Sequence, residues 1–100
     1  MLKGTTPTHI FHVDIDVSVI KEVKITYSQK NNVILTKRTE DCTIEDGMIS
    51  TRLSQEDTFM FEPNSHVTIQ VRVLTLGGDA LTSNLMMRTV GMCLDDEVLV

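Results

Sequence analysis

The sequence has no tryptophan, one tyrosine, three phenylalanines and a single alanine among its 100 residues. Its aromatic rings, Phe11, Tyr27, Phe59 and Phe61, are too few for a base-stacking platform, and they weigh against a sugar-binding surface. With Ala80 alone of its kind, the best helix former is missing, and a helical bundle is excluded. Basic residues are scarce: nine Lys and Arg against fourteen Asp and Glu give a net charge of −5. That balance lacks the electrostatic footprint of a nucleic-acid binder. No apolar run approaches the roughly 20 residues that a bilayer crossing requires. The opening Met1–Pro7 stretch has no apolar core of the kind a secretory signal carries. Cys42 and Cys93 stand in neither a CxxC nor a Cys/His spacing, so a structural zinc site has little to build on. In a reducing cytosol both are expected as free, mostly buried thiols.

What is abundant is β-branching. Eleven Val, eight Ile and thirteen Thr account for 32 of the 100 residues. Such side chains lose rotamer freedom in helices and pack well on pleated sheets. The length suits one domain, read as residues 1–94, followed by an acidic and apolar tail at 95–100. Apolar residues alternate from Thr8 to Val17, with His9, Phe11, Val13, Ile15 and Val17 on one face and Ile10, His12, Asp14 and Asp16 on the other. Asp16 is placed to fix a short turn over Val17–Ile20. Val23, Ile25 and Tyr27 mark a second strand, and Lys30-Asn31-Asn32 turns it into a third at Val33–Lys37. Asp46-Gly47 is a hairpin signal between strands at Cys42–Glu45 and Met48–Leu53. Ser54 and Asp57 are spaced as a near capping box, which predicts one helical turn. His66–Leu76 is the longest alternating stretch, and Gly77-Gly78-Asp79 returns it into a strand over Ala80–Val90, with Leu81, Leu85 and Met87 on one face. About seven strands joined by short turns spell an antiparallel β-sandwich, immunoglobulin-like or related, with one short helical turn.

Candidate chemistry is sparse. His12, Asp14 and Asp16 share a face of an extended strand and are the one set with metal-ligand character, but the reading preferred is a solvated outer face that ends in a turn-capping Asp16. There is no GxSxG elbow and no Cys/His signature, and Gly77-Gly78 joins two strands rather than opening a helix. No enzyme, cofactor or metal is therefore expected. The methionines are more suggestive, because Met86 and Met87 are adjacent in a strand and must point to opposite faces. One of them, with Leu74, Leu76 and Ile34, is expected to form an apolar patch for a partner subunit. Val98, Leu99 and Val100, after the acidic Asp95-Asp96-Glu97 hinge, would fray in isolation, or else add a strand to a neighbour's open sheet edge.

Three stretches and the end of the chain resemble a family: Lys3-Gly4-Thr5-Thr6-Pro7-Thr8-His9, Leu53-Ser54-Gln55-Glu56-Asp57-Thr58, Ile69-Gln70-Val71-Arg72-Val73-Leu74 and Cys93-Leu94-Asp95-Asp96-Glu97-Val98-Leu99. Together they look like small proteins encoded by phages and prophages of Gram-positive gut bacteria. The resemblance implies a virion or assembly role, in the bacterial cytoplasm during phage production or in the virion itself. It carries over no catalytic or ligand residue, and His12 and Asp14 depart from its more neutral pattern. The functional expectation is a non-enzymatic structural or assembly protein that self-associates or docks on other phage structural proteins, with no nucleic-acid or membrane partner. The alternative is a monomeric binding module for a host protein or carbohydrate.

Overall fold

Alternation of branched apolar residues with Lys, Thr and Gln makes two long central strands, and the rest of the molecule is arranged around them. The computed structural model describes residues 1–100. Its strands are β1 (Thr8–His12), β2 (Ile20–Gln29), β3 (Asn32–Arg38), β4 (Cys42–Glu45), β5 (Met48–Arg52), β6 (Ser65–Thr75), β7 (Ala80–Thr82) and β8 (Met86–Val90). One helix, α1 (Gln55–Phe59), and 3-10 turns at Val17–Val19 and Thr39–Asp41 complete the chain. The strands form two antiparallel sheets, a three-stranded one in the order β1-β5-β4 and a five-stranded one in the order β3-β2-β6, where β6 pairs with both β7 and β8. The expected β-sandwich is what forms.

The core lies between the sheets. Val23, Ile25 and Tyr27 of β2 and Val67, Ile69, Val71 and Val73 of β6 are buried, and Ile49, Leu53, Phe61 and Val90 meet them. Not every threonine faces out, for Thr51, Thr58 and Thr75 are buried with their hydroxyls bonded. The turn chemistry follows the sequence. Asp46 and Gly47 both have positive φ (50° and 73°), as a two-residue hairpin demands. Ser54 and Asp57 close a reciprocal capping box on α1, and Asp16 accepts from the Ser18 N–H to cap the first 3-10 turn.

Two expectations are corrected. The strand expected over Thr8–Val17 stops at His12, because its partner does: β5 begins at Met48, opposite His12, and only the Val13 N–H still reaches across, to Gly47 O. The return over Ala80–Val90 is two strands, which raises the count to eight. Leu81 pairs with Val73 and Met86 with Ile69, so one extra residue is accommodated between them. An odd insertion flips every following side chain to the other face. Met86 therefore turns inward and Met87 outward, and the expected shared face of Leu81, Leu85 and Met87 does not exist. Ser83 makes the break tolerable: its N–H donates to Val71 O, and its hydroxyl accepts from Val71 N–H in place of a peptide carbonyl.

Candidate functional site

The two long sides of the sandwich are unlike. On one, the Thr39–Asp41 turn carries the chain directly from β3 to β4 and ties the sheets together. Thr39 Oγ1 accepts from Val23 N–H, and Thr51 Oγ1 donates to Asp41 O. On the other, β1 ends one sheet and β7–β8 ends the other, and the chain joins them only at the two ends of this side, where Met1 and Lys3 bond to Thr89 and Gly91 at the end of β8 and Leu76 N–H donates to Val19 O. A cleft of about 570 Å³ opens there, lined by Phe11, Val13, Ile15, Val73, Leu81 and Met86 among others. It continues past Ile15 and Leu81 into a second depression with Val19 and Leu76. Apolar side chains thus run in a strip along the open side.

The backbone of β1 completes this surface. Leu53 N–H donates to Pro7 O and Val13 N–H to Gly47 O, which fixes the odd-numbered residues as those bonded to β5. The N–H and C=O groups of Thr8, Ile10 and His12 consequently point to the open edge. Sheet edges are normally blunted by Lys, Pro, bulges or interruption. The β3 edge has Lys37 and Arg38, and its pairing with β2 is irregular at Tyr27 and Ser28. The four-residue β4 is flanked by Glu40, Asp41 and Asp46, and the β7–β8 edge is broken at Ser83. From Thr8 to His12, β1 has no Lys, Pro, acidic residue or bulge, and Ile10 stands 55% exposed on its outer face.

Beneath β1, His9 faces inward. Its Nδ1 lies 2.8 Å from the Tyr27 hydroxyl, and the rings are tilted with centroids 5.7 Å apart. Burial, reinforced by the Arg88 guanidinium, lowers the His9 pKa and so favours the neutral ring, whose Nδ1 shares a hydrogen bond with the Tyr27 hydroxyl. Burial likewise pushes the Tyr27 hydroxyl well above its ordinary value. The pair is a polar pin through the sandwich.

The residues singled out from the sequence scatter. Met86 lines the cleft, and Leu76 belongs to the depression beside it. Met87 and Leu74 lie on the outer face of the five-stranded sheet, opposite Thr68 and beside Ala80, about 20 Å apart along β6. The single patch expected of them is not formed. Val98, Leu99 and Val100 sit at the far end, against the start of α1, where the Gln55 carboxamide bonds both backbone groups of Leu99. His12, Asp14 and Asp16 are all exposed, but the strand that would align them ends at His12, and Asp16 is engaged by Ser18. No group of three or more His, Cys, Asp or Glu is gathered as a metal site. Cys42 and Cys93 are free and half-buried, and burial raises the Cys42 thiol pKa. No helix is long and apolar enough to cross a membrane.

Sequence reasoning overlooked Ile10, Leu81 and Gln55. Ile10 had a visible signal, an apolar residue on the otherwise polar face of His12, Asp14 and Asp16. Leu81 was hidden by the one-residue insertion, and nothing local marks Gln55. Comparison with known proteins adds no template, since no family model, no curated protein and no solved structure matches the chain.

Proposed function

We propose that this protein is a non-enzymatic contact module that assembles by adding the β1 edge of one copy to the β1 edge of another. The observation that carries this is the unprotected edge at Thr8, Ile10 and His12 beside an apolar cleft on the side where the chain joins the two sheets only at their ends. Antiparallel pairing about a two-fold axis through Ile10 sets Ile10 against Ile10 and Thr8 against His12. All of these residues direct their backbone groups outward, so about six hydrogen bonds become available. The two three-stranded sheets would become one continuous sheet, with the clefts on the same side of each seam. An assembly role in a phage, which the sequence resemblance implies, is compatible with such a module and is part of the proposal. The binding-module alternative uses the same edge for a foreign strand. A sugar site has less support, because Tyr27 and Phe61 are buried and Phe11 and Phe59 half-buried.

Size-exclusion chromatography with light scattering tests the reading. Wild type is expected as a concentration-dependent dimer. Ile10→Lys, which places a charge at the axis of the seam, should be monomeric with unchanged thermal stability. A wild type that is monomeric at about 1 mM, or a dimer indifferent to Ile10→Lys, would overturn self-pairing. In the first case, capture of a foreign strand by β1 becomes the reading to pursue.

A further inference from the structure

Two glutamines in this chain do the same unusual thing. The Gln29 carboxamide donates to Glu62 O at 3.1 Å and accepts from Glu62 N–H at 2.8 Å. The Gln55 carboxamide donates to Leu99 O at 2.8 Å and accepts from Leu99 N–H at 2.9 Å. In each, a side-chain amide imitates a neighbouring strand and reads both groups of one residue. Their settings differ. Gln29 is buried and fastens the end of β2 to the loop before β6. Gln55 lies at the surface, beside a cleft of about 400 Å³ walled by Thr6, Arg52 and Leu53. Leu53 is fully buried beneath it, and Arg52 is steadied by a bond to Thr6 Oγ1 at 3.2 Å.

The segment seated there is held almost wholly through its backbone. Leu99 remains 71% exposed and Val100 entirely so, although both line the cleft. The stretch leading to it is exposed from Leu94 to Glu97, and its bonds are local: Cys93 Sγ to Asp95 O, and Glu97 N–H to Asp95 Oδ1. Nothing in this stretch is fastened to the sheets. A clasp that reads only a peptide group does not distinguish the chain's own Leu99 from another's.

We propose that the Gln55 cleft is a binding site for an extended peptide, read through its backbone, and that its occupant from outside is residues 98–100 of a second copy. The occupant is the segment already seen in the seat, so the same bonds are remade when copies exchange it. Exchange competes with the chain's own segment, whose tether gives it an effective concentration on the order of millimolar. It therefore takes over where copies are crowded or already joined. The site lies away from the cleft beside β1 and does not depend on pairing there.

Nuclear magnetic resonance on the isotopically labelled full chain tests it, in an Ile10→Lys background so that failure of β1 pairing cannot be mistaken for failure of this site. The probe is an acetylated, amidated peptide of residues 94–100. The Leu99 amide should be protected in the free protein and move to a coil position as peptide is added, half displaced at about 1 mM. The same peptide N-methylated at its last leucine lacks the donor and should be at least about tenfold weaker. Gln55→Leu should release the segment without peptide, while the amides of Glu62 and the core stay unchanged as a check of the fold. A Leu99 amide that exchanges at the coil rate in the free protein overturns the proposal. So do equal displacement by the methylated peptide, absence of displacement by either peptide, or a segment still bound in Gln55→Leu.

Discussion

Tyr27 is sandwiched between His9 and Phe61, its ring centroid 5.7 and 5.9 Å from theirs, and its hydroxyl has His9 Nδ1 as partner. Nδ1 can accept from the phenolic O–H or donate to its oxygen, so the contact alone does not fix the charge; burial, with Arg88, is what penalises the protonated ring. Above about pH 6.5 the ring is neutral in folded and unfolded chains alike, and the full contribution is present. Burial and Arg88 lower the folded pKa, so on acidification the unfolded chain takes the proton first. Stability should fall as pH drops beneath about 6.5, and the loss is complete once pH passes the folded value. Urea titrations at pH 7.5 and 5.5 are expected to show a larger drop for wild type than for His9→Gln, and equal drops would refute the linkage. A second polar contact behaves oppositely with charge. Burial alone would raise the Asp57 carboxyl, but Lys37 Nζ at 2.8 Å and the Ser54 N–H at 2.9 Å outweigh it and hold the pKa low. One carboxylate thereby caps α1 and ties it to β3.

At the scale of elements, the places where sequence and structure agree share a cause. β2, β6, the Asp46-Gly47 hairpin and the Ser54–Asp57 cap are decided by period, turn conformation and local hydrogen bonding, all written within a few residues of each other. β1 and the β7–β8 break are decided by distant partners. Nothing in Val13–Val17 announces that β5 runs out at Met48, and nothing in Ser83-Asn84-Leu85 announces the Val71 backbone it must satisfy. That satisfaction has a measurable consequence. Ser83→Ala removes the acceptor for Val71 N–H in the middle of a core strand. It should destabilise the protein by about 1–3 kcal/mol and speed exchange of the Val71 amide. Denaturant unfolding with hydrogen exchange checks both, and an unchanged Val71 amide would mean that another group takes over the bond.

The whole molecule differs from an immunoglobulin constant-type sandwich by the position of one strand. That fold has sequence orders 1-2-5-4 and 3-6-7 in its two sheets. Here β2 lies between β3 and β6, which leaves β1-β5-β4 alone in the smaller sheet. The transfer makes one sheet four strands wide, its last position shared by β7 and β8, and narrows the other to three, so the smaller sheet cannot cover β7–β8. The open cleft and the bare β1 edge are products of that mismatch, and they could not be read from alternation, which assigns faces within a strand but not neighbours between strands. Each copy also carries a net charge of −5, so two copies repel as they approach. Ile10, Thr8 and His12 offer no opposite charge to offset this at the seam, and the pairing proposed here is made of backbone bonds and apolar contact. Salt should therefore strengthen it. Raising NaCl from about 20 to about 300 mM shortens the screening length from roughly 20 Å to roughly 6 Å. The dimer association constant should then rise several-fold in sedimentation equilibrium at pH 7.5. A seam built on ion pairs would respond in the opposite sense, and a fall with salt would place the contact elsewhere than β1.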